Sequence, residues 1–329
     1  MFNLNVVRKP QQMIAFDADG TPYQQHELTL KLQLLVPRLQ AHSAKCWLIN
    51  VRQPLDYLTA LLALWHAGKT PVLLPNNEAG TVANLHAHFD AVLSASDSQI
   101  TTKQAQLILP EQHAAVSCAP IAALPTISEQ VGLYFYTSGS TGAPKQEYKT
   151  WPQLFAEIME LEHCFGAELA SSPVYASVSC QHIYGFLFRL LWPWLSLRPF
   201  ANFNLEFPEQ LEQIDQAYTL VTSPALLKRL SQISRPVISP NQVFSSGGLL
   251  SQSAANLCQQ QLNQEAIEVL GSTETGGVAW RQQRNASAWR RFDKVQISLN
   301  QEGFLQVASP YFSAEQIVMG DRATLLDND

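Results

Sequence analysis

The chain has 329 residues, 46% hydrophobic and only 15% charged, which excludes a disordered protein and allows two domains or one large α/β unit. Its net charge of −6 gives no general attraction to nucleic acid or an anionic membrane, so any affinity for phosphate has to be local. Five cysteines, at 46, 118, 164, 180 and 258, stand far apart with no CxxC and read as buried small residues in a reducing compartment. The N-terminus lacks an apolar signal core. The most hydrophobic stretch, Phe186 to Leu197, is too short for a membrane span and contains Arg189 and Pro193, so a cytoplasmic protein is expected.

From residue 24, helical and strand patterns alternate. His26 to Gln40 places Leu28, Leu32, Leu35 and Leu39 at helical spacing, and Cys46 to Val51 reads as a short strand. Leu55 to His66 reads as a second helix stopped by Gly68, and Val72 to Leu74 as the next strand. This is the rhythm of a parallel sheet in an α/β fold. Thr81 to Phe89, Ala91 to Leu93 and Leu107 to Leu109 continue it more faintly, and residues 110 to 130, rich in Ala, Pro and Ser, read as a connector. His86 and His88 alternate without a third ligand nearby, and read as surface or packing residues.

Tyr134 to Lys145, YFYTSGSTGAPK, is the most informative stretch. Val131, Leu133 and Phe135, with Tyr134 and Tyr136, suit a strand buried on both faces. The loop that follows cannot be core: Thr137, Ser138, Gly139, Ser140, Thr141 and Gly142 offer hydroxyls and unhindered backbone amides, and Lys145 adds a mobile positive charge. Such a concavity suits a polyphosphate, although a solvated Ser/Gly/Thr loop has the same composition. A Walker P-loop fails on spacing, because Pro144-Lys145-Gln146 lacks the hydroxyl after lysine that opens the helix and reaches Mg²⁺.

TSGSTGAPK resembles the phosphate loop of the adenylate-forming superfamily, which includes acyl-CoA and aryl-CoA synthetases, nonribosomal peptide adenylation domains and luciferases. The resemblance implies an ATP-dependent, AMP-forming activation of a carboxylic acid. Further along, Thr150 can cap a helix through Phe165, with Leu154, Ile158 and Leu161 on one face, and Pro173 to Ser179 reads as a strand. That strand delivers His182. A lone histidine at a strand end is usually structural, but ligands of parallel α/β sheets lie beyond the carboxyl ends of strands. His182-Ile183-Tyr184-Gly185 resembles the family motif whose histidine lies beside the carboxylate being activated. Amino-acid-activating relatives follow it with an aspartate that pairs the substrate ammonium. Ala170 to Leu205 contains none, so an acyl or aryl acid is expected and an amino acid is not. Phe186, Leu187, Phe188, Leu190, Leu191 and Trp192 would suit an apolar pocket wall, and most of them are expected to be core.

Strands recur at Thr219 to Thr222, Gln242 to Ser245 and Ala266 to Leu270, with helices at Pro224 to Ile233 and Ser251 to Leu262. Ser245-Ser246-Gly247-Gly248 is by itself more often a turn, but resembles the family's adenine-binding segment. Leu270-Gly271-Ser272-Thr273-Glu274 resembles Tyr-Gly-x-Thr-Glu, in which the threonine contacts phosphate and the glutamate binds Mg²⁺. A hard carboxylate oxygen suits Mg²⁺ bridging phosphate oxygens, whereas a structural glutamate is the ordinary reading of one carboxylate by a glycine turn. Leu270 stands where most relatives carry an aromatic beside adenine. Short β segments at Gly277 to Gln282, Lys294 to Leu299, Phe304 to Ala308 and Gln316 to Met319 suggest an antiparallel subdomain. Gly320-Asp321 resembles the family pair whose aspartate accepts from the ribose hydroxyls.

The expected architecture is thus two parallel-rich sheets flanked by helices in a layered core, plus a small antiparallel β subdomain. Residues 1–130 and 131–276 are expected to be its two α/β parts, and 277–329 the β subdomain. Family members usually continue into a small C-terminal domain with a lysine that steadies the transition state. No counterpart occurs here, so a truncated, weakly adenylating chain is expected, or a small domain on another polypeptide. The implied ligands are ATP or AMP, Mg²⁺, a small carboxylic acid and, as thiol acceptor in the complete enzyme, CoA or the phosphopantetheine of an acyl carrier protein. A non-catalytic nucleotide-binding or carrier-docking module is the alternative from another class.

Overall fold

The computed structural model describes residues 4–5, 8–98, 100, 102–110, 123–137, 144–284 and 288–326. The fold is α/β, with two parallel-rich sheets, helices packed against them and a small antiparallel sheet in the last part of the chain. It divides into two compact units: Met1–Trp151 with Cys180–His182 and Pro193–Phe203, and Pro152–Ser179 with Ile183–Trp192 and Asn204–Asp329.

In the first unit β1 (Met13–Phe16) and β2 (Pro22–Gln24) form a hairpin, followed by α1 (Gln25–Ala41), β3 (Cys46–Asn50), α2 (Pro54–His66), β4 (Thr70–Leu73) and α3 (Ala79–Asn84). Then come β5 (Ala91–Ser94), β6 (Ala105–Ile108), β7 (Gly132–Thr137) and β8 (Lys145–Thr150), while β10 (Phe200–Ala201) pairs with β1. The six-stranded sheet has the order β6-β5-β3-β4-β7-β8 and is parallel except at β7-β8. Helix α2 is buried from Pro54 to Trp65, so it is apolar all round and not merely along one stripe. Pro54 opens it, and Gly68, at φ +67°, turns the chain into β4. His86 and His88 do pack: His86 Nδ1 lies 2.7 Å from the Ala83 carbonyl, and the His88 ring is 5.1 Å from that of Tyr136.

Strand β8 departs from the sequence reading, which passes from the loop straight to a helix. Half of its residues, KQEYKT, are exposed and only Lys149 is buried, because it is the edge of its sheet, so no buried alternation marks it. Trp151 then opens α4 (Trp151–Leu169), which runs past Gly166 beyond the expected end.

The second unit contains β9 (Val174–Ala176), α5 (Ile183–Gly185), the first residue of α6 (Trp192–Leu195, whose other residues belong to the first unit), β11 (Thr219–Thr222), α7 (Pro224–Leu227), β12 (Gln242–Ser245) and α8 (Gln252–Leu262). After them come β13 (Ala266–Ser272), β14 (Gly276–Arg281) and β15 (Arg290–Arg291), then β16 (Gln296–Leu299), β17 (Phe304–Ala308) and β18 (Ile317–Arg322). Strands β9, β11, β12 and β13 are parallel neighbours, and β14 and β15 extend the sheet antiparallel. β16, β17 and β18 make the small antiparallel sheet. The expected helix from Pro224 is only α7, followed by a 3₁₀ turn at Leu230–Gln232.

Phe244 on β12 anchors this core. Its ring lies 5.2 Å from Phe165 on α4, 5.2 Å from Phe188 and 5.8 Å from Trp192. Phe186–Leu191 is a π-helical run, wholly buried, so these apolar residues are core as expected. Arg189 is buried among them because its guanidinium donates to the Val178 carbonyl at 2.6 Å and to Asn204. Of the cysteines, Cys180 and Cys258 are buried as expected, whereas Cys46 and Cys164 are only half-buried; Cys118 lies outside the described residues.

Candidate functional site

In the second unit the parallel strands all point their carboxyl ends to one edge, where an α/β sheet presents its ligands. Two neighbouring strands end there in glycine. Beyond β12, Gly247 takes φ +79°, and a Cβ on it would meet nothing within 4 Å. On Gly248 a Cβ would meet only Pro224 Cγ, at 4.0 Å, so both glycines leave bare, open backbone. Ser246 fixes the segment by donating to the Val269 carbonyl at 2.8 Å.

Beyond β13 the chain turns back at once into β14, with Gly271 opposite Gly277 and Ser272 opposite Gly276. A Cβ on Gly271 would fall inside the Gly276 carbonyl oxygen, so only glycine lets the two arms close. Thr275 is buried and knits the turn. Its hydroxyl donates to the Gly276 carbonyl at 2.9 Å and accepts from the Ser272 amide at 3.1 Å, while its own amide donates to Ser272 Oγ at 3.2 Å. Thr273 and Glu274 are left half-buried at the tip, and Leu270 is half-buried one step below Gly271.

Glu268 ties the two strand ends together. Buried on β13, it accepts from the Leu250 amide at 3.3 Å, just past Gly248, and from Gln283 Nε2 at 2.6 Å. It also pairs with Arg281 Nε at 2.9 Å. Removing one partner of such a buried pair costs about 3–5 kcal/mol. Neither Glu268 nor Thr275 is marked by any family motif, and periodicity gives no sign of them.

Asp321 is exposed on β18 of the small sheet, one residue before Arg322, whose guanidinium lies 4.8 Å from the Phe304 ring centroid.

In the first unit, Thr137 ends β7 and pairs in register with Lys145, the first residue of β8. The two ends of the predicted phosphate loop are therefore fixed opposite each other by the ladder. Ser138, Gly139, Ser140, Thr141 and Gly142 lie outside the described residues. Lys145 Nζ lies 2.8 Å from Glu147 Oε1 in a partly exposed pair, worth at most about 1 kcal/mol. His182 is exposed and follows Gln181, whose side-chain amide donates to Asn77 Oδ1 at 2.8 Å. Partial desolvation by the atoms packed around its ring holds the His182 imidazole below its usual pKa and favours the neutral form. In the second unit, Gly185 packs so tightly against the chain before it that a Cβ would fall inside the Ser179 carbonyl oxygen.

Chemically, the second unit offers open backbone suited to a flat ring, next to a rigid turn that presents one hydroxyl and one carboxylate. A single carboxylate fits a Mg²⁺ ion that arrives on phosphate oxygens and keeps waters, not one caged by protein alone. No group of three or more His, Cys, Asp or Glu able to hold a metal occurs among the described residues.

Comparison with known proteins shows the family. The chain is 30% identical over 164 residues to a 4-coumarate–CoA ligase of Halorhodospira halophila, a match covering 46% of this chain and 37% of that ligase. It thus spans well under half of that relative's length. Among solved structures it resembles the o-succinylbenzoate CoA synthetase of Bacillus subtilis in complex with its acyl-adenylate intermediate. That match has a TM-score of 0.78 at 16% identity and covers 95% of this chain and 73% of that one. ATP-bound MatB of Rhodopseudomonas palustris gives a TM-score of 0.74 at 15% identity, over 94% of this chain and 69% of that one. The family model for AMP-binding enzymes matches residues 48–299, most of the chain and both strand ends described above, and the chain belongs to that family.

Proposed function

We propose that the protein is the nucleotide- and acid-binding core of an acyl- or aryl-acid activating enzyme. Its reaction is attack of a carboxylate oxygen on the α-phosphorus of ATP, with cleavage of the bond to pyrophosphate, to give an acyl-adenylate. Transfer of the acyl group to the thiol of CoA or of a carrier protein's phosphopantetheine follows in the complete enzyme. The observation that carries this reading is the β13–β14 turn, where Thr273 and Glu274 stand on a rigid tip beside the open backbone of Gly247 and Gly248.

Each group has a task that suits its chemistry. Gly247 and Gly248, with Leu270 to Ser272, offer adenine a surface that a side chain would block. Thr273 donates to a phosphate oxygen, and Glu274 would hold Mg²⁺. When bound, that ion offsets the charge that gathers on the departing pyrophosphate. Thr137 and Lys145 frame the loop that carries Ser138 to Gly142, whose donors would cradle the outer phosphates. Asp321 can only accept, which suits the two ribose hydroxyls.

His182 would lie beside the acid. A neutral imidazole orients a carboxylate through one N–H without cancelling its charge, and so leaves it nucleophilic. The acid is acyl or aryl and not an amino acid, because 170–205 supplies no aspartate for an ammonium group. Residues 1–329 would then be the N-terminal adenylation core of the family.

The test is calorimetric titration of ATP with and without Mg²⁺. Mg²⁺ should strengthen binding to the wild type, and Glu274→Ala should remove that gain, a loss of about tenfold or more for one charge-assisted contact. Equal Mg²⁺ dependence in both proteins overturns the assignment. Pyrophosphate release across aryl and aliphatic acids then identifies the substrate.

A further inference from the structure

We propose that Glu157 on α4 is a positioning residue for the Thr273–Glu274 turn, holding it through the backbone of Gly276 and Gly277; this rests on the role given to Glu274 above. Glu157 is 5% exposed, and a carboxylate removed from water costs several kcal/mol unless it is held. It is held by the turn. Oε1 accepts the Gly277 amide at 2.7 Å, across 120 residues of sequence. The space a Cβ on Gly276 would need is taken by Oε2, 2.6 Å from it, and that on Gly277 by Oε1, at 3.3 Å, and the Phe292 ring, at 3.0 Å. Gly276 also has φ +69°, so the backbone there follows a path that a side chain resists.

The carboxylate is therefore wedged beneath the returning arm of the hairpin. Thr275 locks the turn from within, as described above. Glu157 locks it from below. With both in place the three-residue turn has little freedom, and the direction in which Glu274 leaves the backbone is set before any ligand arrives. Catalytic groups held this way tolerate little displacement, since an error of about 1 Å can cost about a hundredfold in rate. Glu157 itself faces a backbone amide, so its action on a ligand passes through the turn.

The neighbouring acids of α4 make different contacts, which separates Glu157 from a general acidic face. Glu160 Oε1 accepts the Asp293 amide at 2.8 Å, and Glu162 Oε2 accepts Trp192 Nε1 at 2.7 Å. Glu157 bonds instead to the hairpin that carries Thr273 and Glu274.

The test compares Glu157→Ala, which removes the acceptor, with Glu157→Gln, which keeps a carbonyl oxygen at the same reach. Two quantities are measured on the full chain: amide hydrogen exchange of residues 271–277 without ligand, and ATP affinity with and without Mg²⁺. Glu157→Ala should speed exchange there by about tenfold or more, the scale of one charge-assisted hydrogen bond, and reduce the Mg²⁺-dependent gain in affinity by about tenfold. Its metal-free ATP affinity should fall by a smaller factor, since Thr273 on the same turn also meets phosphate, and Glu157→Gln should stay within about threefold of wild type in both measurements.

If Glu157→Ala leaves exchange and Mg²⁺ dependence unchanged while Glu274→Ala abolishes the latter, Glu157 does not position the turn and the role of Glu274 stands. If Glu274→Ala also changes nothing, both fall. Equal losses in the Ala and Gln variants would overturn the proposal as well, because the acceptor atom would then not matter. Should Glu157→Ala fail to fold, Glu157→Asp, which withdraws the oxygen by about one bond length of 1.5 Å, is expected to show the same faster exchange; unchanged exchange in it counts against the proposal.

Discussion

Gly248→Ala separates a ligand-binding glycine from a structural one. In the folded protein the added methyl would meet only Pro224 Cγ at 4.0 Å, ordinary van der Waals contact, and Gly248 does not use a left-handed φ. Replacing a conformationally compatible glycine stabilises by about 0.4–1 kcal/mol through the unfolded chain. At about 2–4 °C per kcal/mol for a domain of this size, Tm should be unchanged or higher by a few degrees. The nucleotide faces the opposite situation. A base resting on bare backbone sits at about 3.5–4.0 Å, and a methyl projecting about 1.5 Å into that gap has to push it away. Overpacking of this kind costs about 1–3 kcal/mol, so ATP and AMP should bind about tenfold to a hundredfold more weakly. Calorimetric titration beside a thermal melt reads both. Gly247→Ala is the control: its φ of +79° penalises any side chain, and alanine there should lower Tm by a few degrees whatever the ligand does. Wild-type nucleotide affinity in a normally folded Gly248→Ala protein would refute the placement of adenine on this segment.

Gly185→Ala should act on the fold itself, because its Cβ would fall inside a backbone carbonyl that cannot rotate away. A loss of about 2–3 kcal/mol and a Tm lower by about 5–10 °C are expected, and an unchanged melt would show that the chain before α5 yields more easily than its packing implies. The pH dependence of stability tests the partial desolvation of the His182 ring. Desolvation lowers its folded-state pKa, so between the ordinary value of about 6.5 and that lower value the unfolded chain binds more protons. The stability is complete above about pH 6.5 and is lost as pH falls below it. His66 is lowered by burial too and contributes with the same sign, so the measurement is wild type against His182→Gln, where His66 is common to both. The variant should lose less stability between pH 7.5 and pH 5.5, and parallel curves would show that the fold does not desolvate the His182 ring.

The parallel strands were legible where a short buried run ends in turn residues. Thr219–Thr222 and Gln242–Ser245 have the expected bounds, since apolar residues stop abruptly at Ser or Pro. β8 was not legible, because one side of an edge strand faces solvent and the hydrogen-bonding pattern that makes it a strand leaves no hydrophobic trace. The π-helical run Phe186–Leu191 was legible as core but not as π-helix. When every residue is buried no period remains to count.

The site divides along the same line, with a physical reason for the division. Many of the groups that would touch the ligand are backbone amides, glycines and short hydroxyl side chains, and these need fixed spacing at a strand end, so they leave a readable motif. Their supports do not. Glu157, Glu268 and Thr275 could act from any element within reach, and Glu157 acts on Gly277 from 120 residues away. One trace of it was nevertheless in the sequence. Glu157 lies three residues after Leu154 and four before Leu161, within the stripe of α4 that is buried, where an unpaired carboxylate would not be tolerated. A charge in an apolar stripe demands a donor, and glycine-rich turns offer amides that no side chain shields. The inference that a carboxylate so placed anchors such a turn needs only those two facts, and it connects the helix after the proposed phosphate loop to the residues proposed to meet phosphate and metal.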